Sequence, residues 1–190
     1  MKHLKTNITL LALLMAFTIS FTSCKDDDKP IIDDPEEENE EELITSVELT
    51  FENKDNPRDI QTFKFADPDG DGGNAPTTMD TVKLATNTNY TLAVRFLDES
   101  DASDVEDITE EVLEEADEHL VCYTTSAGTS VTITDQDGND LDLGLAADVA
   151  TADAESGQFT VALKHQPDVK DGTCEVGETD VEVRFALEVE

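Results

Sequence analysis

An all-β domain is what this sequence predicts: an antiparallel β-sandwich of the immunoglobulin-like or Greek-key type, with one short helix around residues 105–119. Three observations point there. Apolar residues recur with period two along at least three long runs, so each run has one buried and one wet face. About eight such runs are separated by turn signals. No regular alternation of helix with strand, the mark of a doubly wound sheet, is visible.

The elements follow in chain order. Leu43, Thr45, Val47, Leu49 and Phe51 share one face, against Glu48 and Glu52. Shorter runs of the same kind cover residues 60–65 and 81–84. Tyr90, Leu92, Val94 and Phe96 share a face against Thr91 and Arg95. Then the period changes. Val105, Ile108, Val112, Ala116 and Leu120 recur at helical spacing, and Leu113 widens the stripe. Asp104 or Asp107 is placed to cap this helix, with Glu110 three residues after Asp107. Its last turn carries Glu114, Glu115, Asp117 and Glu118, which oppose the helix dipole. That pattern belongs either to a generally acidic surface or to carboxylates that await a cation. Strand patterns resume at 120–123, 130–134 and 158–163. The last strand sets Val181, Val183, Phe185, Leu187 and Val189 against Glu182, Arg184, Glu188 and Glu190.

What precedes residue 43 does not read as fold. Lys2 and Lys5 are followed by residues 8–21, mostly apolar and uncharged. This stretch is short of the ~20 apolar residues a bilayer span takes, and it reads as a secretory signal peptide over residues 1–23. Phe21-Thr22-Ser23-Cys24 resembles a bacterial lipobox, which implies that Cys24 is diacylated and becomes the mature N-terminus. The next run, Lys25-Asp26-Asp27-Asp28-Lys29, resembles the lipoprotein export signal of Bacteroidota, which sends lipoproteins to the outer face of the outer membrane. Residues 24–42 hold eleven acids, two lysines and few apolar groups, so they predict an extended acidic tether. The domain then covers 43–190.

Charge narrows the partners. The chain has 12 Lys+Arg against 46 Asp+Glu, a net charge of −34. Nucleic acid is excluded as a natural partner, because phosphate binding needs clustered cations. The expected membrane attachment is therefore the lipid anchor, and an outer-membrane transporter is a candidate protein partner. An enzyme is not expected. There is no G-x-S-x-G elbow, no H-E-x-x-H and no phosphate-cradling glycine loop. With no Trp and two Tyr, aromatic platforms for sugar are scarce as well.

Three groups of residues carry candidate chemistry. His119 and His165, the only histidines after residue 23, both sit at the end of a predicted element, so both can meet at one end of a sandwich. With Glu178 and Asp180 they offer an imidazole–carboxylate set suited to Zn²⁺ or Cu²⁺. Asp67, Asp69 and Asp71 form a D-x-D-x-D-G run, the first half of a calcium loop. The twelfth position of such a loop is Thr78, and no helix flanks it, so a flexible interstrand loop is the competing reading. The related Asp135-Gln136-Asp137-Gly138-Asn139-Asp140 is foremost a hairpin turn. Cys122 and Cys174 form an even pair in an oxidising exterior, which favours a disulfide over metal ligation beside His119.

Four stretches carry a wider resemblance: Asp107-Ile108-Thr109-Glu110-Glu111, Glu115-Ala116-Asp117-Glu118-His119, Leu163-Lys164-His165-Gln166-Pro167 and Gly177-Glu178-Thr179-Asp180-Val181-Glu182-Val183. In these the chain resembles small acidic lipoproteins of Flavobacteria and related Bacteroidota, over most of residues 43–190. Such proteins often carry the description "type 1 periplasmic binding fold superfamily protein", without an established activity. That description implies two α/β lobes and roughly twice this length, whereas the strand patterning here supports the β-sandwich. The expectation is a non-enzymatic surface lipoprotein that captures a metal ion or small solute, accessory to a transporter. The competing expectation is a structural or adhesive display module with no specific small ligand, whose acidity maintains solubility.

Overall fold

The computed structural model describes residues 42–70 and 72–190. The expected signal peptide, Cys24, the expected tether up to residue 41 and Asp71 lie outside the described residues. Two β-sheets pack face to face, so the predicted β-sandwich is the architecture. Its strands are β1 (Ser46–Asn53), β2 (Ile60–Ala66), β3 (Thr78–Met79), β4 (Thr81–Leu84), β5 (Asn89–Leu97), β6 (His119–Thr125), β7 (Ser130–Ile133), β8 (Ala146–Ala150), β9 (Glu155–His165) and β10 (Glu178–Val189). One helix, α1 (Ile108–Glu114), connects β5 to β6. The larger sheet has the order β3-β2-β1-β5-β8-β7, the smaller β4-β10-β9-β6. Pairing is antiparallel except between β4 and β10, which run parallel. None of the described helices is long and apolar enough to cross a membrane.

Alternation becomes a core in the expected way. Val47, Leu49 and Phe51 of β1 face Phe159 and Val161 of β9 and Val183, Phe185 and Leu187 of β10 within one apolar cluster. Phe51 is its centre. Its ring meets Phe63, Tyr90 and Phe159 edge-on at 5.9, 6.1 and 5.7 Å, so one side chain joins both sheets. Each such pair contributes about 0.5–1.5 kcal/mol beyond its buried area.

The elements depart from expectation in four places. Leu43 is exposed, and β1 begins only at Ser46. Strands β3 and β8 were not signalled. The first has two residues, and the second reads Ala-Ala-Asp-Val-Ala, poor in the bulky residues that mark strands. Helix α1 is half the predicted length. Asp107 caps it by accepting from the Thr109 amide at 3.2 Å, while Val105 and Leu113 are exposed. Leu120 falls in β6, because Glu118 and His119 leave the helix and pair with the end of β9.

The long loop after β9 is pinned to this end of the sandwich by three devices. The buried Gln166 donates through Nε2 to the carbonyls of Thr173 and Val176, both at 2.9 Å, and its amide donates to the Glu118 carbonyl at 2.6 Å. Cys174 is disulfide-bonded to Cys122 of β6, with Cα atoms 6.0 Å apart. Lys170 is buried and donates to the Ala116 carbonyl at 2.7 Å and to the Asp137 carboxylate at 2.8 Å. It thus caps, from a distant loop, a carbonyl just beyond α1, whose own last turn has no basic residue. The Asp137 turn is the hairpin the sequence predicts, with the Asp137 amide donating to the Leu141 carbonyl at 2.8 Å.

Removing one partner of a buried ion pair strands the other. Lys170→Ala is expected to cost about 3–5 kcal/mol in urea denaturation. The double variant with Asp137→Asn is expected to cost less than the two single variants together. An additive result would show that the pair does not couple the loop to the hairpin.

Candidate metal site

Antiparallel pairing of β6 with β9 builds the site. Its register places Tyr123 opposite Val161, Val121 opposite Leu163 and His119 opposite His165. All six side chains share the inner-face parity of their strands. The two histidines therefore occupy the last rung of the core, where a hydrophobic pair would otherwise sit. His119 is fully buried and His165 nearly so, and their rings stack with centroids 4.9 Å apart at an interplanar angle of 7°. The turn over them depends on Gly177, which has φ +75°. A Cβ there would collide with the His165 carbonyl oxygen.

The carboxylate that meets the pair is Glu42. Its Oε1 lies 2.9 Å from His119 Nε2, and its side chain is only 4% exposed. On the other side of the ring, His119 Nδ1 is 3.1 Å from the Glu115 carbonyl oxygen. A carbonyl only accepts, so Nδ1 carries a proton and Nε2 is the nitrogen left to bind something else. Ligand histidines commonly have this arrangement, with the distal N–H held by a backbone carbonyl. The ligand atoms of Glu42, His119 and His165 all lie within 4.8 Å of one another. Glu118 adds a carboxylate oxygen 3.8 Å from His165 Nε2.

Electrostatics follow from burial and these contacts. Burial pushes the His119 imidazolium toward deprotonation. The hydrogen bond to Glu42, the Glu115 carbonyl and the charges of Glu42 and Asp180 outweigh it, so its pKa is raised. Burial likewise works against the Glu42 carboxylate, but the bond to His119 holds its pKa below the ordinary value. Burial raises Glu115, and the charges of Glu118, Glu111 and Glu42 add to that effect against the opposing pull of His119.

Of the residues the sequence singles out, His119 and His165 come together, and Glu178 and Asp180 do not join them as ligands. Glu178 sits opposite His165 in the β9–β10 register with an exposed side chain. Asp180 occupies the irregularity between Thr179 and Val181, half-buried, close enough for its charge to act on His119. Glu42 takes the carboxylate position instead. Sequence reasoning left it in the tether, since nothing distinguishes it there from ten other acids except that it stands nearest the first strand.

In the Asp67 loop, Asp69 accepts from the Asn74 amide and side chain at 2.7 and 2.6 Å. The Asp67 carbonyl accepts from the Gly70 amide at 3.0 Å, which closes a turn. Among the described residues neither aspartate belongs to a group close enough to hold an ion, and Asp71 lies outside them. A shallow groove of about 600 Å³ opens elsewhere, between β6 and β7, beside Thr125, Val131, Ile133 and the disulfide. It shares no residue with the histidine cluster.

Without metal, the His119–Glu42 contact makes stability depend on pH. A base whose folded pKa is raised stabilises the fold fully below its unfolded value, here 6.5, and loses that contribution as pH rises through the folded value. An acid whose folded pKa is lowered contributes above its unfolded value, here 4.5, and loses that contribution as pH falls through the folded value. Both contributions are present between 4.5 and 6.5. The urea midpoint of the metal-free protein is expected to fall above pH 6.5, and His119→Gln to flatten that fall. An unchanged slope in the variant would show that His119 is not its source. No protein-family model, curated protein or solved structure matches this chain, so the site is interpreted from its own chemistry.

Proposed function

We propose that this protein is an exported, lipid-anchored surface lipoprotein whose β-sandwich captures one divalent transition-metal ion, Zn²⁺ or Cu²⁺, without catalytic turnover. The observation that carries the reading is the convergence of Glu42, His119 and His165, with ligand atoms within 4.8 Å, at the buried end of the core. Two imidazoles and a carboxylate suit Zn²⁺ and Cu²⁺ better than harder ions. Bonds of about 2.0–2.1 Å in a tetrahedral site imply ligand atoms roughly 3.3 Å apart, so binding requires the three to close inward and the two stacked rings to tilt until both lone pairs meet the ion. Three protein ligands leave one position open, as capture and release require. The field of a chain with net charge −34 raises the local cation concentration. The lipobox-like residues before Cys24 and the Lys/Asp run after it support export and anchoring, with an outer-membrane transporter as the proposed recipient of the cargo.

One observation favours a second reading. The 2.9 Å contact between Glu42 and His119 is complete as a proton-bridged pair with no ion. The histidines then only close the sandwich, and the protein is a display module.

Titration of the full-length chain with Zn²⁺ in detergent, followed by native mass spectrometry, separates the two. Metal capture predicts one tightly held Zn²⁺, weakened on the order of 100-fold by His119→Ala or His165→Ala and somewhat less by Glu42→Gln. Only multiple weak adducts, indifferent to these substitutions, would leave the display module. For the anchor, Cys24→Ala is expected to abolish the acyl mass and release the protein from membranes. Retention of both would refute lipidation at Cys24.

A further inference from the structure

Glu42 belongs to two groups of potential ligands. One is the histidine set. The other is Glu42, Glu111 and Glu115, whose ligand atoms also lie within 4.8 Å of one another. Glu111 and Glu115 are one helical turn apart at the end of α1, with the Glu115 amide donating to the Glu111 carbonyl at 2.9 Å. Like charges so placed repel, and the last turn contains no basic residue to offset them. Acidity alone would mean only a solvated surface. The independent observation is Glu42 itself. Its side chain is 96% buried, Oε1 is engaged by His119, and Oε2 is buried with no hydrogen-bond partner among the described residues. Oε2 of Glu115 is in the same condition. A buried acceptor without a partner costs about 1–3 kcal/mol, more when charged, and a cation held by the two residues would remove that cost.

We propose that Glu42, Glu111 and Glu115 form a second cation subsite for a hard divalent ion, and that Glu42 bridges it to the histidine site as a shared ligand. The inference rests on the transition-metal reading of His119 and His165 for its bridging half. Three carboxylates and no nitrogen select an ion of the Mn²⁺, Mg²⁺ or Ca²⁺ type, with water completing its shell. The end of the sandwich is then a dinuclear centre with unlike halves, one imidazole-rich and one all-oxygen. Cargo bound at the histidines and a hard cation at the glutamates would then be coupled through one carboxylate.

Mn²⁺ is the probe. The full-length chain, loaded with one equivalent of Zn²⁺, is titrated with Mn²⁺, and the free aqueous Mn²⁺ signal is followed by electron paramagnetic resonance. The expected result is about one Mn²⁺ bound per chain, weakened at least tenfold by Glu111→Gln, an exposed position, with Zn²⁺ affinity unchanged. With Cu²⁺ in the histidine site, bound Mn²⁺ is expected to broaden the Cu²⁺ signal, which shows that the two ions are neighbours. One Zn²⁺ bound with no Mn²⁺, or only weak Mn²⁺ adducts indifferent to Glu111→Gln, overturns the second subsite and leaves the histidine site standing. Mn²⁺ bound without any effect on the Cu²⁺ signal overturns the bridge. Failure to bind Zn²⁺ or Cu²⁺ at all overturns the transition-metal reading, and the bridge with it.

Discussion

The pairing of β6 with β9 governs how this sandwich ends. It closes the smaller sheet, and its register decides which residues end the core. Each rung from Tyr123–Val161 to Val121–Leu163 buries apolar surface against the larger sheet. The next rung places His119 against His165. A slip of β6 by one residue would turn His119, Val121 and Tyr123 away from the core while β9 stays fixed by β10, so the apolar rungs would be lost with the polar one. The hydrophobic rungs thus fix the polar one. The site inherits its rigidity from the core, which is where a binding centre gains the most from preorganisation.

Around that rung the chain spends several separate devices on one end of the molecule. The Gln166 bonds, the Lys170–Asp137 ion pair and the Cys122–Cys174 disulfide all fasten the loop after β9. Closing a loop of this length by a disulfide stabilises by roughly 3–4 kcal/mol through the unfolded chain. The opposite, solvent-facing residues of the strands are mostly acids and small polar groups, which keep an acidic domain soluble without specifying anything. Structure and charge therefore act at different places. Cross-links gather at the histidine end, and acidity is spread over the whole surface.

Much of this was legible in the sequence. The strict alternation of β1, β5 and β10 could only serve a half-buried sheet; β5 and β10 lie where the pattern puts them, and β1 starts three residues later than it, at Ser46. His119 and His165 were legible as element ends that meet, because each stands at a change of period. Other features were hidden for physical reasons. Leu120 satisfies both the helical stripe ending at Ala116 and the strand continuing to Tyr123, and only the tertiary pairing with Lys164 decides between them. β8 is visible through Ala147 and Val149 alone, too small a signal against its aspartate. Glu42 was hidden most deeply. It is one of eleven acids in a charge run, and its role comes from reaching His119, 77 residues away in the chain. Composition describes a segment as a whole, and it is blind to the one member that folds back.

The proposed transition-metal ion has its place between Glu42, His119 and His165. X-ray absorption at the zinc edge of the loaded full-length protein tests it most directly. The expected spectrum shows a first shell of nitrogen and oxygen at about 2.0–2.1 Å, with the outer-shell scattering of two imidazoles and no sulfur. A shell containing sulfur at about 2.3 Å, or one of oxygen alone without imidazole scattering, would contradict it.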